Sequence, residues 1–226
     1  MIKKLLTVAV AMVLMSGSGF VNAQGNASAG KTKAAMCAGC HGDDGNSAMP
    51  GFPKLAAQHP GYLVKQLQAF KEGTRIAPMM APLALGLDDT DMQDLAAFYS
   101  SSKISANPAP SLPVDDDDDD APAKTDEQKK AELANLLATG ADIYRNGKLS
   151  TGVSACIACH GPQAEGNKPA SYPVLHGQHA DYLAKTLTDF KTGSRTKNRD
   201  NMMHMIAAKM SDADIKAVAL YISTLK

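Results

Sequence analysis

Cys37-Ala38-Gly39-Cys40-His41 and Cys156-Ile157-Ala158-Cys159-His160 hold all four cysteines of this 226-residue chain in two copies of one pattern. Two thiols one helical turn apart can add to the two vinyl groups on one edge of a porphyrin, and the adjacent histidine then lies under the iron. Cys-x-x-Cys-His therefore reads as a c-type haem attachment site. Other uses of paired cysteines fit less well. A zinc ribbon sets its pairs roughly 15–20 residues apart, whereas 115 residues separate Cys40 from Cys156. A thioredoxin-like dithiol calls for a βαβ pattern, and no convincing alternating strand is present. The expectation is two covalent haem c groups, on Cys37 and Cys40 and on Cys156 and Cys159, with His41 and His160 as proximal iron ligands.

What precedes the first motif is read as an address. Lys3 and Lys4 are followed by an apolar run from Leu5 to Met15 and by a Val21-Asn22-Ala23 ending. That is the layout of a secretory signal cleaved after Ala23, and eleven apolar residues are too few to span a bilayer. The predicted location is the bacterial periplasm.

The second half repeats the first at an offset near 120. Phe52-Pro53-Lys54-Leu55 parallels Tyr172-Pro173-Val174-Leu175, and Gln58-His59 parallels Gln178-His179. Tyr62-Leu63 parallels Tyr182-Leu183, and Gly73-Thr74-Arg75 parallels Gly193-Ser194-Arg195. Leu63, Leu67 and Phe70 recur at i, i+4, i+7, as do Leu183, Leu187 and Phe190, which is one face of a helix. Capping-box patterns precede three helices, at Asp88 or Asp89, at Thr125 and at Ser211. The predicted fold is all-α: two tandem cytochrome c-like helical domains, each wrapped around one haem. The predicted boundaries are a signal at 1–23, domains at 24–107 and 123–226, and a Pro/Asp-rich linker at 108–122. Aromatic residues make up only 5% of the chain and tryptophan is absent. Haem would supply the large apolar body that such thin cores lack.

A second axial ligand decides the chemistry, because His/Met ligation raises the potential whereas an open position admits ligand chemistry. Aligned on the last helix, Met80 falls on Met203 and Met79 on Met202, each pair in a predicted loop about 40 residues after its histidine. Register alone does not choose between neighbours. Met36, Met49, Met92, Met205 and Met210 lack this paired position and read as core. His59 and His179 are paired too, as rival ligands or as helix-start or surface residues. Pro53 and Pro173 are candidates to accept the proximal imidazole N–H on their carbonyls, the alternative being plain turn prolines. Arg75 and Arg195 are candidates to pair haem propionates, with Tyr62 and Tyr182 as further candidates for the haem surroundings.

The charge is balanced overall, with 23 basic and 23 acidic residues, so the chain is no generic nucleic-acid binder. It is unevenly distributed. Residues 24–107 carry seven of each sign, 115–120 are all Asp, and 123–226 carry fourteen basic against ten acidic residues. Like-charge runs stay solvated, and the split predicts distinct, salt-sensitive docking faces.

Taken in order, the Cys-x-x-Cys-His, Phe-Pro-x-Leu or Tyr-Pro-x-Leu, Gln-His…Tyr-Leu, Phe-Lys-x-Gly-x-Arg and methionine segments resemble the dihaem cytochrome c4 family over nearly all of residues 25–226. The resemblance implies two lobes related by a pseudo-twofold axis, axial methionines at Met80 and Met203, and the carbonyl role of Pro53 and Pro173. It implies a periplasmic electron carrier. Such carriers run between a quinol-oxidising complex and a terminal oxidase or other periplasmic reductase. The chain is expected to be a monomer and to touch membranes at most peripherally. The Asp115–Asp120 run departs from the short linkers of that family. Two other functions use the same module: an electron-accepting subunit of a periplasmic dehydrogenase, for example a flavoprotein, and a dihaem peroxidase.

Overall fold

Three capping boxes punctuate the chain where the sequence predicts them. Asp88 accepts from the Asp91 N–H, Thr125 from Gln128 and Ser211 from Asp214, and each third residue returns a side-chain bond to the cap backbone. Such caps are worth about 1 kcal/mol each. They start α5 (Asp89–Ser101), α6 (Asp126–Asn146) and α10 (Asp212–Ser223). The computed structural model describes residues 25–112, 124–195 and 201–226. The signal expected at 1–23 and the Asp115–Asp120 run lie outside the described residues.

The remaining helices of the first lobe are α1 (Ala27–Lys33), α2 (Ala38–His41), α3 (Pro60–Lys71) and α4 (Met80–Leu85), with a 3₁₀ turn at Ala34–Met36. Those of the second are α7 (Ile157–His160), α8 (Ala180–Thr192) and α9 (Met202–Ala207). Among the described residues there is no strand beyond two isolated bridges, Lys148 with Val153 and Asn167 with Tyr172. Each half has its own core. Leu63, Leu87, Met92, Leu95 and Tyr99 cluster in the first, and Ile143, Tyr144, Leu183, Ile215 and Val218 in the second. The periodic faces of α3 and α8 thus turn inward, as predicted.

The terminal helices of each lobe cross at a glycine. A Cβ on Gly30 of α1 would lie 2.0 Å from the Asp94 carbonyl oxygen on α5, and one on Gly140 of α6 would lie 2.1 Å from that of Ala217 on α10. Helices approach this closely only where one side chain is missing. Glycine costs about 1 kcal/mol within a helix, and the packing it permits outweighs that. Gly140→Ala is therefore expected to destabilise the second lobe by about 3 kcal/mol or more, at the upper end of overpacking costs. Thermal melts of the variant against wild type measure it.

A buried carboxylate near the start of the last helix of each lobe is held by a lysine. Lys33 Nζ reaches Asp91 and Asp94, both at 2.7 Å, and Lys148 Nζ reaches Asp214 at 2.8 Å. The Lys33 ammonium and then the Asn26 N–H hold Asp94 below the usual carboxylate value. Burial pushes Asp214 up, but bonds from Lys148 and Ser211 bring it below the usual value. A carboxylate whose pKa is depressed by folding adds stability in full above its unfolded value of about 3.9. That contribution is lost as pH falls through the lower, folded value. Melting temperature is thus expected to drop on acidification below about pH 4, and Asp94→Asn to flatten that limb for the first lobe.

Candidate functional site

Each Cys-x-x-Cys-His motif forms one helical turn. The His41 N–H donates to the Cys37 carbonyl at 3.0 Å and the His160 N–H to that of Cys156 at 2.9 Å. Gly42 and Gly161 end the turns at φ +78°, a conformation that favours glycine, and a Cβ on Gly42 would stand 2.5 Å from the Asn46 carbonyl oxygen. The two imidazoles are buried, 5% and 7% exposed, with Phe52 edge-on to His41 and Tyr172 tilted against His160.

His41 Nδ1–H donates to the Pro53 carbonyl at 2.8 Å, and His160 Nδ1–H to the Pro173 carbonyl at 3.0 Å. Because a carbonyl can only accept, the proton sits on Nδ1 and Nε2 keeps its lone pair. Burial lowers both histidine pKa values despite the opposing proline bonds, so both rings stay neutral. None of the four cysteines is in a disulfide. Burial pushes the Cys156 thiol up to about 11 and raises that of Cys37. That is the reverse of an activated redox thiolate. Two thiols and a neutral, oriented Nε2 are the donor set that covalent haem requires, and the residues fit the group in both lobes.

The methionines are placed differently from expectation. Met80 opens α4 and Met203 lies in the first turn of α9, so both sit in short helices rather than loops. Met79 and Met202 are 63% and 46% exposed, whereas Met80 and Met203 are half-buried. The second helix is the better anchored: Asn201 Oδ1 caps it by accepting from the Met203 N–H at 3.0 Å, whereas Met79 offers α4 no side-chain cap. Of the methionines read as core, Met92 and Met210 are buried, but Met36, Met49 and Met205 are exposed.

A seam of reciprocal bonds joins the lobes. The Gln58 carboxamide brackets the Val174 backbone, Nε2 donating to its carbonyl at 3.0 Å and Oε1 accepting its N–H at 2.9 Å. Gln178 does the same to Lys54, at 3.0 and 2.9 Å. Arg75 Nη2 donates to the Tyr182 hydroxyl at 3.1 Å, and Arg195 Nη2 to that of Tyr62 at 2.8 Å. The four residues expected around haem thus meet one another across the seam. Each guanidinium also lies over a phenylalanine of its own lobe, Phe70 or Phe190. Burial would raise the Tyr182 phenol, but Arg195 and Arg75 more than offset it and bring it to about 8.

His59 and His179 stand at the N-cap positions of α3 and α8 without a side-chain cap bond, and His179 Nε2–H instead donates across the seam to the Ser47 carbonyl at 2.9 Å. The segment leaving α5 belongs to the seam as well. Asn107 Nδ2 donates to the carbonyls of Gln178 and Ser223, and its Oδ1 accepts from the buried Lys54 ammonium. The sequence signalled Gln58 and Gln178 only as a repeated pair, and gave no sign of Lys54 and Asn107.

Among the described residues no helix is long and apolar enough to cross a membrane. The cytochrome c family model matches the chain twice, over residues 27–103 and 137–226. Cytochrome c4 of Azotobacter vinelandii is 44% identical over 96% of this chain and 97% of its own length. A thiosulfate dehydrogenase electron acceptor of Stutzerimonas stutzeri is 36% identical over 87% of this chain and 82% of its own. The crystal structure of reduced recombinant cytochrome c4 from Pseudomonas stutzeri matches with a TM-score of 0.74 at 40% identity. It covers 89% of this chain and all of that one.

Proposed function

Because the chain belongs to the cytochrome c4 family of dihaem electron-transfer proteins and carries two covalent haem c groups, we propose that it works in the periplasm, taking electrons from a quinol-oxidising complex. It delivers them to a terminal oxidase or another periplasmic reductase. It is a carrier rather than an enzyme, and the peroxidase reading is set aside.

The observation that carries this reading is the duplicated ligand geometry. In both lobes a buried, neutral histidine is fixed by a proline carbonyl, and in both a half-buried methionine stands at the start of a short helix. In this proposal His41 with Met80, and His160 with Met203, would hold the two haem irons. The bound haems supply a one-electron ferric/ferrous couple. The chain would give each iron one histidine and one methionine, and it holds the imidazole proton on Nδ1 and buries the histidine face away from water. Arg75, Arg195, Tyr62 and Tyr182 are the polar groups offered to the haem carboxylates.

A second reading has a specific observation behind it. The thiosulfate dehydrogenase acceptor relative favours a periplasmic dehydrogenase as the donor. Stopped-flow reduction of the oxidised protein separates the two, with ubiquinol plus a purified quinol-oxidising complex in one arm and thiosulfate plus its dehydrogenase in the other. The carrier reading expects fast reduction in the first arm. Reduction confined to the second would replace it. Rates are expected to fall with ionic strength, because the two lobes differ in charge, and rates flat with salt would count against charge-steered docking.

A further inference from the structure

The seam does more than hold the lobes together, because each glutamine touches the peptide that orients the other lobe's histidine. The Pro173–Val174 peptide accepts His160 Nδ1–H on its oxygen at 3.0 Å and donates its N–H to Gln58 Oε1 at 2.9 Å. The Pro53–Lys54 peptide accepts His41 Nδ1–H at 2.8 Å and donates to Gln178 Oε1 at 2.9 Å. Both glutamines are buried. Each is fixed by two further bonds: Nε2 to the bracketed carbonyl, and Oε1 from the N–H of the next residue, His59 or His179.

We propose that Gln58 and Gln178 are positioning residues that tune, each across the seam, the iron of the opposite lobe. An amide is conjugated from nitrogen to oxygen. An acceptor on its N–H shifts charge onto its carbonyl, and hydrogen bonds linked in this way strengthen one another by about 10–30%. A stronger acceptor at the proline carbonyl draws on the imidazole Nδ1–H and makes Nε2 more basic. A more basic ligand favours ferric iron and lowers the potential. The chain runs from Gln58 through one peptide to His160, and from Gln178 through one peptide to His41. Docking of the lobes therefore sets both potentials, and strain at the seam during partner binding would shift them.

The inference rests on the reading of His41 and His160 as iron ligands. Its test uses the full haem-loaded chain with Gln58→Met and Gln178→Met, which keep side-chain length and remove the bonds. Spectroelectrochemical titration gives the two potentials, and haem-methyl NMR signals assign each to its lobe. Gln58→Met is expected to raise the potential of the second-lobe haem, move the His160 Nδ1–H resonance upfield and leave the first-lobe haem unchanged. Gln178→Met is expected to do the mirror image. Gln58→Glu keeps an acceptor for the Val174 N–H and is expected to hold the second-lobe potential at or below wild type. Shifts in the substituted lobe itself, equal shifts of both haems, a fall in the Met variants or no shift would overturn the inference. So would a rise in Gln58→Glu, and that variant and Gln178→Met still decide if Gln58→Met does not fold. Absence of low-spin, histidine-ligated spectra in wild type would sink the ligand reading instead, and so the two failures are distinguishable.

Discussion

Met80→Ala is expected to make the ferrous first-lobe haem bind carbon monoxide and to lower its potential strongly, while the second lobe keeps its wild-type spectrum. Met203→Ala is expected to do the reverse. A thioether opposite imidazole raises the potential, and its loss leaves an open position. Wild-type protein with both positions filled is expected to ignore carbon monoxide. Met79→Ala and Met202→Ala are the controls. Both residues are well exposed, and both variants are expected to behave as wild type. Carbon monoxide binding by Met79→Ala but not by Met80→Ala would move the ligand by one residue. The two lobes should also differ in how firmly they hold the thioether. The Asn201 cap, worth about 1 kcal/mol, secures the helix that carries Met203, whereas α4 starts without a side-chain cap. On warming, ferrous wild type is expected to admit carbon monoxide first at the lobe of Met80. Difference spectra against temperature measure this.

Some of this arrangement is legible from residues alone and some is not, for reasons that can be named. Chemistry fixed by local spacing reads directly: the Cys-x-x-Cys-His turns, the proline acceptors and the caps at Asp88, Thr125 and Ser211 each depend on neighbours within a few to about a dozen positions. Helices α4 and α9 were expected as loops because six residues carry too little periodicity to register. Gly30 and Gly140 read as weak points in helices until the crossing partners, α5 and α10, are in place. The seam is the least legible part. Its glutamine bonds run between a side chain of one lobe and the backbone of the other, over 116 to 124 positions, and backbone partners have no residue type to betray them. What the sequence does offer is symmetry. Gln58 with Gln178, Arg75 with Arg195 and Tyr62 with Tyr182 keep their identity across the repeat, and all six meet at the seam. Lys54 breaks the symmetry against Val174, because only the first lobe uses that side chain to hold Ser105 and Asn107.

Removing both attachment cysteines of the second lobe, Cys156→Ala with Cys159→Ala, is expected to leave one covalent haem per chain and to unfold that lobe. Apart from Tyr144 and Tyr221, the core there is built from small and medium residues such as Met210, Ile215 and Val218. Cys156 itself packs against it. Domain stabilities are about 5–15 kcal/mol, and taking a porphyrin-sized apolar body out of so thin a core removes a comparable amount. Mass spectrometry is expected to show one haem instead of two, and circular dichroism the loss of the signal from α6, α8 and α10. The first lobe keeps its own core around Met92 and Tyr99 and is expected to keep a low-spin haem. Its potential should nevertheless rise, because unfolding the second lobe withdraws Gln178 from the Lys54 N–H and weakens the peptide that holds His41. A one-haem variant with full helical signal would show that the second lobe folds on its own core, whereas an unmoved first-lobe potential after loss of that signal would show that the seam carries no tuning.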